Sequence, residues 1–345
     1  MFLKQLSEAV GVSGREAEVR DLIREEIKDD VDRIETDALG NLIAFKEGKP
    51  EQPTVLLAAH MDEIGLMITD ITDDGLLKFK PIGGIDKRIL VSKEVVVGPD
   101  QIPGVIGAKA IHLQESDERK KPLDYGELYI DIGTKEKEES EKLVELGMMA
   151  TFATEFEQLG TATVKGKAFD DRVGCAALIE LLQQEHQLSI IAAFTVQEEI
   201  GLRGASVVAY DLDPDLALVV EGTSASDVPD TKEAGYSTQL GAGPALTIQD
   251  SSLIPSQPVV NKLIEVADQN DIPYQFRKLT RAGTDAGALH LTKEGIRTAV
   301  ISMPCRYIHS PASLLNLNDY QATVELLTKF CQDMEEGGLA DEGVN

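Results

Sequence analysis

Four short runs along the chain are apolar almost throughout: Thr54-Val55-Leu56-Leu57-Ala58-Ala59, Ile190-Ile191-Ala192-Ala193-Phe194-Thr195-Val196, Leu216-Ala217-Leu218-Val219-Val220 and Thr298-Ala299-Val300-Ile301-Ser302-Met303. Runs of this kind, without polar alternation, predict strands buried on both faces. The stretches between them repeat apolar residues at helical spacing instead. Val173, Ala176, Ala177, Ile179, Leu181 and Leu182 predict a helix over 173–184; others are predicted near 258–270, opened by Pro258, and near 319–333. Towards the start, Val19, Leu22, Ile23 and Ile27 form an apolar stripe in a helix over 13–29, with Ser13 and Glu16 in a capping-box pattern. Two runs meeting at Gly40-Asn41 predict a hairpin over 34–45. Strands alternating with helices imply an α/β fold, a mixed and mostly parallel sheet sandwiched by helices.

Between 68 and 162 the pattern changes. Short alternating segments at 76–80, 94–97 and 127–132 sit among Gly-, Pro- and charge-rich stretches such as Pro81-Ile82-Gly83-Gly84 and Pro103-Gly104-Val105-Ile106-Gly107. One polar helix is predicted near 135–146. The segment reads as a small β-rich domain at 68–162 inserted into an α/β domain made of 1–67 and 163–345. No catalytic grouping is visible in it; His112 and the charged run 115–121 read as a loop or contact surface.

The net charge of −27 over 345 residues changes the picture of partners. It argues against nucleic acid and anionic membrane surfaces, which need Lys and Arg to meet phosphate, and it suits a site that collects cations. No apolar run is long enough to cross a bilayer, and the first residues acquire charge too quickly for a signal peptide. Cys175, Cys305 and Cys331 form no Cys-x-x-Cys pair, so they read as core residues in a reducing compartment rather than a zinc-thiolate site. The expected location is cytoplasmic.

Candidate chemistry lies where the apolar runs stop. His60 and Asp62 follow the first, Glu198 and Glu199 the second, Glu221 the third, and His309 comes shortly after the fourth. Asp170-Asp171 precedes the helix at 173–184. Ligands of open α/β sheets bind beyond the carboxyl ends of the strands, so these groups are expected to converge. Any one of them alone is most often a turn or cap residue. As a set they offer two imidazoles and several carboxylates without a thiolate, a donor inventory that suits two Zn²⁺, Co²⁺ or Mn²⁺ ions. Buried carboxylates in an already acidic chain would repel one another without cations. Asp62, two residues beyond His60 on extended backbone, faces the same way and could accept the second ring N–H of His60, fixing its tautomer.

Ala59-His60-Met61-Asp62-Glu63-Ile64-Gly65, Ala168-Phe169-Asp170-Asp171-Arg172, Gln197-Glu198-Glu199-Ile200-Gly201-Leu202-Arg203-Gly204-Ala205, Ala282-Gly283-Thr284-Asp285-Ala286 and Arg306-Tyr307-Ile308-His309-Ser310-Pro311 resemble the signature segments of the glutamyl and deblocking aminopeptidases. The likeness extends over nearly the whole chain. It implies a dinuclear metallopeptidase with a phosphorylase/hydrolase-like fold, a PDZ-like β-barrel insert that serves dimerisation, and dimers that assemble into a tetrahedral dodecamer. It implies that Asp170 bridges two metals, that His60 and Glu221 complete one and Glu199 and His309 the other, and that Glu198 is the general base. It also implies a cis peptide between Asp170 and Asp171. The family more commonly has Asp where this chain has Glu221, and the extra methylene could alter the coordination mode.

The activity so implied is release of N-terminal residues, Glu or Asp among them, from peptides by metal-activated water. An acidic preference needs a cation near the pocket, for which Arg203, Arg281 and Arg306 are candidates. Alternatives are a dinuclear carboxypeptidase, a deacylase of N-acyl amino acids, a glycosidase, and a non-catalytic assembly protein. Two His in ligand positions argue against the glycosidase, and the complete donor set argues against the assembly protein.

Overall fold

The computed structural model describes residues 2–232, 235–278 and 282–339. Each apolar run forms a strand, and together they make the middle of one large mixed sheet. Ser189–Thr195, Thr54–His60, Leu216–Ser224 and Thr298–Arg306 lie side by side in that order, all parallel. The flanks are antiparallel. Leu42–Lys46 and Arg33–Thr36, the predicted hairpin, extend one side, and Ser313–Asn316, Thr163–Gly166 and Glu157–Leu159 extend the other.

The central strands are apolar throughout because both faces are covered. Val55, Leu57 and Ala59 pack with the helices Phe2–Glu8, Ala17–Ile27, Phe169–Leu182, Gln257–Gln269 and Leu317–Gly337. Leu56 and Ala58 point the other way, against the short helices Ala205–Val208 and Ala286–Leu289. This two-residue alternation within a uniformly apolar run is the strand period itself.

The insert closes into a separate antiparallel barrel. Its strands run in the order Gly65–Ile71, Leu77–Ile82, Leu128–Asp131, Ile102–Ala108, Glu94–Val97 and Met149–Phe152, around a core that includes Ile68, Leu77, Val97, Ile106 and Ile130. Closure leaves no free edge. The sequence reading put the insert at 68–162. The barrel strands span 65 to 152, and Glu157–Leu159 pairs with Thr163–Gly166 in the large sheet.

Two local expectations fail. The polar helix predicted near 135–146 shrinks to the single turn Lys137–Ser140. The capping box at Ser13 and Glu16 does not form: the helix starts at Ala17, and the Ser13 hydroxyl donates to the Asp62 carboxylate at 2.6 Å. Glu16 instead accepts the backbone N–H groups of Gly14 and Gln197, at 2.6 and 3.2 Å. Both side chains are taken by the region around the strand ends, a tertiary demand that outweighs local capping. No helix among the described residues is long and apolar enough to cross a membrane.

Candidate metal centre

Because the central strands are parallel, their carboxyl ends share one edge. His60 ends its strand, opposite Thr195, and Glu221 stands opposite Ser302 on the next pair. The helix Phe169–Leu182 starts above this edge in an irregular way. Ala168 has φ +53°, Asp170 and Asp171 depart from helical angles, and the peptide bond between them is cis. Asp171 is fully buried and serves the backbone, accepting the N–H groups of His60 at 3.1 Å and of Gly174 and Gly222 at 3.0 Å. It ties the helix start to two strand ends.

Asp170 lies between the two histidines. Its Oδ1 is 3.2 Å from His60 Nε2 and its Oδ2 is 3.5 Å from His309 Nε2. His309 Nε2 is also 3.5 Å from Glu199 Oε1, and Asp170, Glu199 and His309 each offer a donor atom within 4.8 Å of the others. Glu198 Oε2 stands 3.9 Å from His60 Nε2. Glu221 is engaged differently: its Oε1 accepts from Arg277 at 2.8 Å and from the Ser302 hydroxyl at 3.4 Å. His60, Asp170, Glu198, Glu221, Arg277 and His309 line one cavity of about 380 Å³.

The two imidazoles are oriented from behind. His60 Nδ1 lies 3.1 Å from the Asp62 carbonyl and 3.5 Å from its carboxylate, so main chain and side chain of Asp62 both face it. The Asp62 carboxylate has further partners. Besides Ser13, it accepts the N–H groups of Glu198 and Glu199 at 2.9 and 3.1 Å, which the left-handed turn at Gln197 (φ +57°) directs toward it. His309 Nδ1 is 2.9 Å from the carbonyl of Gly84, in the barrel segment that follows Leu77–Ile82. Both rings thus turn Nε2 towards Asp170, the arrangement in which a second contact fixes the tautomer of a metal-ligating histidine.

The electrostatics are those of a cluster short of positive charge. Burial, opposed by Arg277 and reinforced by Asp170, raises the Glu221 carboxyl to about 8. Burial, opposed by His309 and reinforced by Asp170, raises Glu199 to about 7. Glu198 is pushed well above its usual range by burial first, His60 opposing and Asp285 and Glu199 adding to it. Asp170 goes the other way: burial would raise it, but His309 and His60 hold it below the carboxylate range. Buried oxygens that take up protons for want of cations, beside two imidazoles whose Nε2 atoms face the same carboxylate, fit divalent metal ions of the N/O-preferring kind.

Three contributors were not legible in the sequence. Gly84 supports His309 from the insert, where no catalytic grouping was expected; the Gly83-Gly84 pair after a strand was the only trace of it. Arg277 ends the short strand Gln275–Arg277, where nothing marks it as a site residue. Asp285, within Ala282-Gly283-Thr284-Asp285-Ala286, is buried and accepts the Thr195 hydroxyl. Of the arginines expected near the pocket, Arg203 bonds Gln197 in an exposed position and Arg306 pairs with Asp227 at 2.7 Å, while Arg281 lies outside the described residues.

Residues 40–326 match the M42 glutamyl aminopeptidase family. The chain belongs to that family. This M42 protein is therefore a metallo-aminopeptidase, a peptide hydrolase that uses divalent cations. It is 33% identical over 343 residues to the lysyl aminopeptidase of Pyrococcus furiosus, covering 97% of both chains. The aminopeptidase APDkam598 of the archaeon Desulfurococcus kamchatkensis superposes with a TM-score of 0.94 at 38% identity, over 99% of this chain and 97% of that one. The TET1 peptidase of Pyrococcus horikoshii, described as assembling into a tetrahedron or a large octahedral shell, superposes with a TM-score of 0.85 at 36% identity, over 95% and 98% of the two chains.

Proposed function

We propose that this M42 aminopeptidase removes N-terminal residues from short cytoplasmic peptides with two divalent cations per chain, Zn²⁺, Co²⁺ or Mn²⁺. Asp170 would be shared between them, His60 and Glu221 completing one position and Glu199 and His309 the other. The observation that carries this reading is the place of Asp170, one oxygen towards each imidazole at 3.2 and 3.5 Å. When bound, such ions supply Lewis acidity that brings the pKa of water from about 15.7 to about 7.

The chain's own residues supply the rest. Glu198 takes the proton of the attacking water and hands it to the leaving amine, as a general base and then a general acid. Its raised proton affinity suits a group that must hold that proton between the two events. Asp62 holds the backbone of Glu198 and Glu199, so base and ligand stay in fixed relation. Glu and Asp are among the N-terminal residues released in this proposal, with the preferred residue left to the assay below.

The division into a discontinuous catalytic domain and an inserted domain that serves as dimer contact, expected at 68–162 and with its barrel strands at 65 to 152, belongs to the same proposal. Exposed Ile111 and Leu113 on the insert support the contact. Dimers would build a tetrahedral dodecamer. Sizing the protein with and without chelator tests metal-dependent assembly, which an unchanged mass rules out.

The central test is Glu198→Gln. It should abolish turnover while metal content stays near that of the wild type, and wild-type turnover in the variant would sink the assignment. Free-amine and N-blocked peptides assayed side by side separate an aminopeptidase from a deacylase. Chromogenic amides of different N-terminal residues, run with each metal in turn, rank the side-chain preference.

A further inference from the structure

The donor groups do not form two equivalent positions. Asp170, Glu199 and His309 already stand with donor atoms within 4.8 Å of one another. Glu221 is instead paired with a buried guanidinium, Arg277 Nη1 at 2.8 Å from its Oε1. Both side chains of this pair are almost wholly buried, about 4% and 6% exposed, so water screens their attraction weakly. A divalent cation reaching Glu221 meets a fixed positive charge on the same carboxylate. It must either displace Arg277 or share the carboxylate with it, and both weaken that position relative to the first. Arg277 lines the same cavity of about 380 Å³ as the candidate ligands, so the competition takes place within the site.

We propose that Arg277 is a positioning residue that makes the two cation positions unequal: the position of Asp170, Glu199 and His309 fills first, and the position that needs Glu221 fills in competition with Arg277. This rests on the two-cation reading above. It assigns Arg277 a task in the substrate-free protein, apart from any contact with substrate.

The test is equilibrium binding of Co²⁺ to the metal-depleted full-length protein without substrate, followed by visible absorption and calorimetry. The wild type should bind in two separate steps. Arg277→Gln should tighten the second step by about tenfold or more, in the range by which outer contacts tune metal affinity, and leave the first unchanged. Arg277→Met, closer in shape, should do the same and stands in if the Gln variant does not fold. Glu221→Gln should remove the second step alone, and His309→Ala the first. Unchanged constants in a folded Arg277 variant, or two equal steps in the wild type, overturn this inference and leave the two-cation reading standing. A single ion at saturation in both the wild type and the Arg277 variants overturns both.

Discussion

The carboxylate of Asp62 accepts the backbone N–H of Glu198 through Oδ1 at 2.9 Å. Its other oxygen takes the N–H of Glu199 and the Ser13 hydroxyl. One buried side chain thus sets where the base and an adjacent candidate ligand stand, and its own main-chain carbonyl orients His60. Asp62→Asn replaces an acceptor with a donor that faces donors. It should cost about 10–100-fold in kcat/KM or in metal affinity, as loss of an outer contact does. Steady-state kinetics with metal analysis of the same samples measure it.

Gly83 and Gly84 press the barrel against the site. Gly83 has φ +76°, and a Cβ there would lie 2.7 Å from Ile64 Cγ2 and 3.3 Å from Glu199 Oε2. Gly83→Ala should therefore destabilise by roughly 1–3 kcal/mol through backbone strain alone, and lower activity as well. At Gly84 a Cβ would meet His309 Nδ1 at 3.3 Å. Gly84→Ala should weaken metal binding while the Tm of the metal-free protein changes little. Thermal melts beside metal titrations separate the two effects.

Removing metal should cost stability, and more so as pH rises. In the metal-free fold Glu199 and Glu221 have their carboxyls raised to about 7 and about 8, chiefly by burial. Their ordinary value is about 4.3. Between the two values the folded state binds more protons than the unfolded state, so stability falls as pH rises. The penalty is absent below the ordinary value and complete above about 8. Cations that neutralise these groups also stabilise by binding the folded state. The gap in Tm between metal-loaded and chelated protein should widen from pH 5 to pH 8; a constant gap would refute the electrostatic account.

Glu63 joins three parts of the molecule. It is buried with Lys167, whose ammonium donates to both its oxygens at 2.8 Å, and it accepts the Gly11 N–H and the hydroxyl of Thr151 in the barrel. Arg172 lies 3.6 Å away, itself fully buried. Glu63→Gln leaves these cations without their carboxylate and should cost about 3–5 kcal/mol, the usual penalty for an uncompensated buried charge. Thr151→Val removes a single hydrogen bond and should cost about 1 kcal/mol. Denaturant unfolding of both variants measures the difference.

The linear pattern determined much of this protein. A strand buried on both faces must be apolar at every position, so the central strands were visible as uniform runs, and their ends marked His60, Glu198, Glu199 and Glu221. The change of texture marked the insert, because a small antiparallel barrel alternates where a buried parallel strand does not. The tertiary structure decided what the side chains at those ends do. Ser13 and Glu16 carry a capping pattern, but a buried carboxylate at Asp62 and the open amides near Gln197 needed partners more than a solvated helix end did. Asp62 was expected to serve the His60 ring; its carboxylate stands 3.5 Å from Nδ1 and serves in addition two amides brought to it by a turn 136 residues away. Gly84 and Arg277 act through contacts 225 and 56 residues distant, at His309 and Glu221. A hydrophobic period records which face of an element is buried. It holds no record of which distant polar groups folding brings within hydrogen-bonding reach.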